Sequence, residues 1–250
     1  MSSVGLDKMN TNQKTLLIDF ETSPNIGLSW GGKWEVNIID FIEEGRIISL
    51  AYKWFGQKKV SCITIEQFGY NHKKFIAEVH KLFNEADIIM AHNGDQFDIK
   101  MANREFIKEG FMPPAPYKTI DTLKIARSKF KFTSNKLDDL GEFLGVGRKV
   151  KVDKDVWKGC MAHESESWKR MAKYNKQDVV LLENVYLKLR AWHTSHPTLA
   201  FISGTVCKIC GSQNVVSQGE KKMKKYKRKQ YQCRECGSWF CGDEKILILR

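Results

Sequence analysis

The sequence contains no apolar run long enough to cross a membrane, and its first ten residues, MSSVGLDKMN, lack the apolar core of a secretion signal. These absences argue against a membrane protein, and we expect a protein of the cytosol. No internal repeat or low-complexity segment stands out beyond a basic run near Lys221. Seven cysteines are present, and in a reducing compartment they indicate metal ligands or free thiols rather than disulfides.

Positive charge is distributed unevenly along the 250 residues, which are enough for one good-sized domain and a small one. The formal net charge is +12. The last fifty residues hold 11 Lys and Arg against 4 Asp and Glu, whereas the first 200 hold 30 against 25. A basic excess of this kind suits a polyanionic partner, either nucleic acid or an anionic membrane surface.

Apolar periodicity predicts an α/β fold with a mixed sheet, because three strands are followed by alternating helices and strands. The predicted strands are TLLIDFET, RIISLAYKWF, KVSCITIEQF and DIIMAHNG. The predicted helices are HKKFIAEVHKLFNEA, QFDIKMANREFIKEG, TIDTLKIARSKF capped by Asp121, SNKLDDLGEFLG opened by Ser134 or Asn135, and a long helix capped by Ser165 that ends near Trp192. Residues 1–13 read as loose, and HTSHPTLAFISG reads as a linker.

Two carboxylates lie near the end of the first predicted strand. Asp19 and Glu21 are two residues apart, so they point to the same face. Their mutual repulsion and any burial would raise both pKa values. For an isolated pair, the simpler interpretation is an exposed strand end with solvated acids.

Further acids occur in contexts that bring them toward that strand end. Asp98 follows the next buried strand in the first turn of a helix, and Tyr174 lies four residues before Asp178 on one helix face. Each feature alone is ordinary, but together the four acids can surround a cluster of cations. Mg²⁺ and Mn²⁺ prefer carboxylate oxygens, and two such ions about 4 Å apart can activate a water and stabilise the leaving oxygen of a phosphodiester.

Three segments carry a family resemblance: DFE, HNGDQFD and YNKQD. They resemble the exonuclease motifs of the DEDD superfamily, and the tyrosine of YNKQD resembles its DEDDy branch; the histidine expected in the DEDDh branch is replaced by Lys173. The segments between the motifs resemble stand-alone relatives of the family B polymerase exonuclease from phages and bacteria. The resemblance covers about residues 14–192.

This resemblance implies a ribonuclease H-like domain over residues 1–195 and a 3′→5′ exonuclease that uses two Mg²⁺ or Mn²⁺ ions. It implies that Asp19, Glu21, Asp98 and Asp178 hold the metals. Tyr174 would orient the attacking water, because its ordinary pKa near 10 makes it a poor base. Single-stranded DNA is the favoured substrate, with RNA left open, in a bacterial or phage-infected cytosol. His92 is expected to be structural.

Two CxxC pairs occur near the C-terminus. Cys207 and Cys210 are separated by 22 residues from Cys233 and Cys236, and a glycine follows each pair. Four thiolates suit one tetrahedral Zn²⁺, which predicts a zinc ribbon over residues 205–250. Redox dithiols are the weaker alternative, since no thioredoxin-like strand and helix surround them. A segment this short hardly buries a core, so the metal would supply its folding energy.

Between the two pairs lies the basic segment EKKMKKYKRKQYQ, which reads as a two-stranded ribbon. Its cations could contact phosphates, and Tyr226 and Tyr231 could stack on bases. The alternative is a charged ribbon that only keeps the domain in solution. We favour nucleic-acid contact, because the charge excess is concentrated here.

Two other functions are compatible with these features. One is an endonuclease or junction resolvase on the same fold, which would share the acidic cluster. The other is a non-catalytic nucleic-acid-binding protein, which has no need for four intact acids. A protein partner in replication or repair is also left open, including one that binds the zinc ribbon.

Overall fold

The computed structural model describes residues 13–30, 37–193, 195–197 and 205–247. Residues 1–12 of the segment predicted to be loose and most of the linker at 193–204 lie outside these ranges. Within them the strands are, in chain order, β1 (Thr15–Thr22), β2 (Ile26–Ser29), β3 (Ile38–Glu43), β4 (Ile47–Trp54), β5 (Ser61–Thr64), β6 (Ile88–Ala91), β7 (Lys118–Asp121), β8 (Val215–Lys222), β9 (Tyr226–Cys233), β10 (Trp239–Cys241) and β11 (Ile246–Leu247). The α-helices are α1 (His72–Glu85), α2 (Asp98–Lys108), α3 (Thr122–Lys129), α4 (Leu137–Phe143), α5 (Asp155–Met161) and α6 (Ser165–Leu189).

The central sheet has the order β5-β4-β1-β6-β7. Strand β4 is antiparallel to both β1 and β5, whereas β1, β6 and β7 are parallel to one another. This mixed sheet confirms the predicted α/β fold of the ribonuclease H type. Among the helices in the described ranges, none has the length and apolar character that would allow it to cross a membrane.

Strand β1 lies in the middle of this sheet and is buried on both faces, which explains its nearly continuous apolar sequence. Leu16, Ile18 and Phe20 pack in a cluster that includes residues of α1 and α2. Leu17 points the other way and packs in a cluster that includes residues of α3, α4 and α6. Because side chains alternate along a strand, Asp19 is directed toward the α6 side of the sheet.

Some predicted boundaries are confirmed and others are wrong. The helix capped by Asp121 starts at Thr122 as predicted, and the Asp121 carboxylate accepts from the backbone amides of Leu123 and Lys124. The residues before it, Lys118–Asp121, pair with β6 as strand β7, which was not predicted. Helix α4 starts at Leu137 after Lys136, without the predicted serine or asparagine cap.

Smaller differences occur in two other segments. Strand β5 ends at Thr64, and Ile65–Phe68 form a 3₁₀ helix. Helix α6 is preceded by Glu164 rather than capped by Ser165, and it continues as a 3₁₀ turn at Arg190–Trp192. Helix α5 and the antiparallel hairpin of β2 and β3 were not predicted.

Candidate active site

Three of the four predicted acids form a tight group at one end of β1. Carboxylate oxygens of Asp19, Glu21 and Asp178 all lie within 4.8 Å of one another. Asp19 and Glu21 are half-buried on the strand, and Asp178 is fully buried on α6, which packs against this part of the sheet. The group therefore joins residues that are more than 150 positions apart in the sequence.

The fourth acid lies beside this group but outside it. Asp98 is the first residue of α2 and is only 4% exposed. Its Oδ1 accepts a hydrogen bond of 3.1 Å from the backbone amide of Phe20, which lies between the two strand acids. The Asp98 carboxylate is thus hydrogen-bonded to the backbone of β1 between Asp19 and Glu21, where the metal ligands were predicted.

Burial raises the pKa of every acid in the site, and repulsion by the other site acids adds to the rise for Asp19 and Glu21. The pKa of Asp19 lies well above its ordinary value because of burial and then the charge of Asp98. Burial, followed by the charge of Asp178, raises the pKa of Glu21 to about 7, and burial raises that of Asp98 to about 7. Burial also raises the pKa of Asp178, although a nearby lysine opposes the shift. The four carboxyl groups therefore lack enough nearby positive charge to stabilise their ionised forms.

That lysine is Lys149, which the sequence reasoning did not identify. Its Nζ lies 2.6 Å from Oδ2 of Asp178 and 5.7 Å from the centroid of the Tyr174 ring. Burial would lower the pKa of the ammonium, but the carboxylates of Asp178 and Asp19 outweigh it and raise that pKa. The backbone amide of Lys149 is held by Asp138 Oδ1 at 2.7 Å, which fixes the loop that carries it.

A buried amide orients the first strand acid, and it too was missed. Asn175 is fully buried, and its Nδ2 donates to Oδ2 of Asp19 at 2.6 Å and to the Asp19 carbonyl at 3.0 Å. Its Oδ1 accepts from the Ser49 hydroxyl at 2.8 Å. A usable signal was present in YNKQD, because Asn175 lies three residues before Asp178 and shares its helix face.

The remaining predicted residues of this region fall into two groups. Tyr174 is half-buried beside the acids and packs edge-on against Trp157, with ring centroids 6.0 Å apart. Burial, followed by the charge of Asp178, raises its pKa above the ordinary value, so the hydroxyl stays protonated at neutral pH. His92 is structural, as expected, since its ring nitrogens bond to the Thr122 hydroxyl and the Asn135 carbonyl.

The four predicted zinc ligands also converge. Their sulfur atoms lie within 4.8 Å of one another; Cys207 and Cys236 are 3.6 Å apart, as are Cys210 and Cys233. Four sulfurs bound tetrahedrally at about 2.3 Å would be about 3.8 Å apart, so the cluster has the size that Zn²⁺ requires. A tight turn with a left-handed glycine follows each pair, at Gly211 (φ 74°) and Gly237 (φ 77°).

Comparison with known proteins agrees with this fold. A protein-family model described as the RNase H superfamily matches residues 42–190, so the chain belongs to that superfamily. The match includes Asp98 and Asp178 and begins after Asp19 and Glu21. Membership supports a nuclease that acts on nucleic acid, and nucleases of this superfamily use divalent metals.

Comparison with curated proteins gives no match. Among solved structures, the chain is similar to the family B DNA polymerase from the hyperthermophilic archaeon Pyrobaculum calidifontis, with 13% sequence identity and a TM-score of 0.45. The similarity covers 72% of this chain and 25% of the polymerase, so the chain corresponds to about a quarter of that protein's length.

Proposed function

We propose that this protein is a metal-dependent 3′→5′ exonuclease that hydrolyses single strands, with DNA favoured over RNA. The observation that carries the proposal is the convergence of four carboxylates from β1, α2 and α6 on one strand end. Their raised pKa values indicate a shortage of positive charge that divalent cations would supply. The tyrosine four residues before the last acid favours the exonuclease over the endonuclease.

The residues present fit a pair of Mg²⁺ or Mn²⁺ ions. The donors are all carboxylate oxygens, which these ions prefer. Oδ1 of Asp178 is buried and has no hydrogen-bond partner among the described residues, so one ligand atom is free. Asp19, Glu21, Asp98 and Asp178 would hold the ions, which would supply an activated water and charge stabilisation of the leaving oxygen.

The chain's own residues would orient this chemistry. Asn175 fixes the Asp19 carboxylate through one oxygen and leaves the other available to a cation. Tyr174 stays protonated at neutral pH and so cannot accept the proton of the attacking water; its hydroxyl would orient that water by a hydrogen bond. Lys149 neutralises part of the charge of Asp178.

The C-terminal cysteines would hold one structural Zn²⁺. The sulfur spacing fits that ion, and the ligand set of four thiolates is one that structural zinc sites use. We also propose the corresponding division of the chain into an exonuclease domain over residues 1–195 and a zinc ribbon over residues 205–250.

A time course on single strands labelled at either end tests the proposal. With Mg²⁺ or Mn²⁺, a 5′-labelled strand should shorten in one-nucleotide steps, whereas a 3′-labelled strand should release labelled mononucleotide at once. Asp19→Ala should abolish both signals. The matched control is Asp95→Ala, because Asp95 belongs to the HNGDQFD segment but pairs with Lys124 at 2.6 Å. Cleavage of circular single strands at the same rate would instead favour the endonuclease, and full activity of folded Asp19→Ala would refute the metal site.

A further inference from the structure

The C-terminal sheet has two chemically different faces. Strand β9 is central, with β8 on one side and β10 and β11 on the other. Cys233 points to the face that carries the cysteine cluster, which we call the zinc side. Tyr231, two residues away, points to the same face and stacks on Phe240, with ring centroids 5.6 Å apart. Tyr231 therefore packs within the ribbon, contrary to the expectation that both of its tyrosines are free to stack on bases.

The other, alternate residues of β9 point to the opposite face, which we call the outer face. Tyr226 and Arg228 belong to it by the alternation of the strand. Residues directly opposite each other on paired strands point to the same face. Trp239 therefore lies on the outer face, because it pairs with Gln232, and so does Lys221, because it pairs with Arg228. Trp239 is 52% exposed. Between Gln232 and Arg228 the outer face extends about 13 Å along the strand.

Cations on this face are arranged around one ring. Arg228 lies 5.4 Å and Lys245 5.3 Å from the centroid of the Tyr226 ring, so the tyrosine braces two positive side chains. Nε of Arg228 is buried and has no hydrogen-bond partner among the residues that the structure describes. Within the described ranges, Arg228 and Lys221 form no ion pair, whereas Lys227 on the zinc side pairs with Glu220 at 2.8 Å.

We infer that the outer face binds an unpaired nucleic-acid strand. Trp239 stacks on a base, and Arg228, Lys245 and Lys221 contact phosphates. Charge complementarity selects this occupant, because the segment from residue 220 to 229 has seven Lys and Arg and one acid. An exposed indole on the same face as unpaired cations is the combination that holds single strands without sequence preference. The inference rests on the proposed function in one respect: the strand bound by the outer face would be the strand that the acidic site cuts.

Fluorescence anisotropy with a labelled 20-nucleotide oligothymidylate tests the inference on the full-length chain. The background variant is Asp19→Ala, which prevents cutting without a chelator that would remove zinc. Trp239→Ala should weaken binding about 5- to 150-fold, the effect of one lost base stack. Arg228→Gln should reduce the log–log salt slope by about 0.7. Its matched control is Lys229→Gln, the same charge change on the neighbouring residue of the opposite face, which should change the slope by less than half as much.

Zinc content is measured for every variant, so that loss of the ribbon's fold is distinguished from loss of a contact. An equal slope change for Arg228→Gln and Lys229→Gln, or wild-type affinity for zinc-loaded Trp239→Ala, would overturn the inference. Equal affinity for a duplex would also overturn the inference, because paired bases cannot stack on an indole. Binding to phosphatidylserine vesicles without binding to the oligonucleotide would overturn it as well. An oligouridylate arm determines whether DNA and RNA are held alike. Since binding is measured without cleavage, failure of the outer face leaves the proposed exonuclease intact, and the reverse also holds.

Discussion

Replacing Asp98 by asparagine should stabilise the metal-free protein while abolishing the proposed hydrolytic activity. In the folded chain the pKa of Asp98 rises from 3.8 to about 7, mainly because the carboxylate is buried. A difference of about three units corresponds to a ceiling of about 4 kcal/mol against the ionised side chain. Relaxation of the neighbouring charges reduces this, and we expect a gain of about 2 kcal/mol, since asparagine can still accept from the Phe20 amide.

The gain should depend on pH in a defined direction. Between pH 8 and pH 5 the folded Asp98 takes up a proton, whereas the unfolded side chain stays ionised until its pKa near 3.8. Proton uptake by the folded state stabilises the wild type as the pH falls through about 7. The asparagine variant has no such proton to bind. Its advantage should therefore be largest at pH 8 and much smaller at pH 5.

Thermal unfolding in metal-free buffer measures this effect. A gain of about 2 kcal/mol should raise Tm by about 4–8 °C at pH 8 in a chain of this size. Mg²⁺ should stabilise the wild type more than the variant, since one proposed ligand is missing. Asp95→Asn is the control and should give no gain, because it breaks the pair with Lys124. An unchanged Tm at pH 8, or an equal gain at pH 5, would refute the electrostatic reasoning.

Three further substitutions test the other residues of the site. Tyr174→Phe should lower the single-turnover rate about 100-fold with metal binding retained, and an unchanged rate would remove the hydroxyl from the mechanism. Asn175→Ala should raise the Mg²⁺ concentration for half-maximal activity about 10- to 100-fold, because Asp19 loses its orienting bond; an unchanged Mg²⁺ dependence would contradict that role. Lys149→Met should lower the metal-free stability by about 1–3 kcal/mol, measured by denaturant unfolding, because Asp178 loses its cation; equal stability would show that the pair contributes nothing.

The central strand and the direction of its acids could be predicted because both depend on local periodicity. TLLIDFET coincides with β1 from Thr15 to Thr22, and the two-residue spacing of Asp19 and Glu21 requires a common face in any strand. Strand β7 could not be predicted in the same way. Its four residues, KTID, show no alternation, and Asp121 gives a strong helix-start signal that hides the strand before it.

Other features depend on contacts between distant segments. Lys149 reaches Asp178 only because Asp138 holds the intervening loop, and no spacing in the basic segment around Lys149 indicates this. The different positions of Tyr226 and Tyr231 follow from the pairing of β9 with β10, which places Tyr231 on the face that carries the cysteine cluster. Composition showed that the ribbon is basic, but only the strand register shows which face carries the unpaired cations.

The charge of the acidic site explains why its supporting residues are mostly neutral. The four carboxylates and the ammonium of Lys149 together carry three negative charges when ionised. Two divalent cations would convert this to one positive charge, which matches the single negative charge of a phosphodiester. If Asn175 or Ser49 were a lysine, its positive charge would neutralise part of the cluster and weaken the attraction of the carboxylates for a metal ion. A buried amide and a hydroxyl orient Asp19 without that competition.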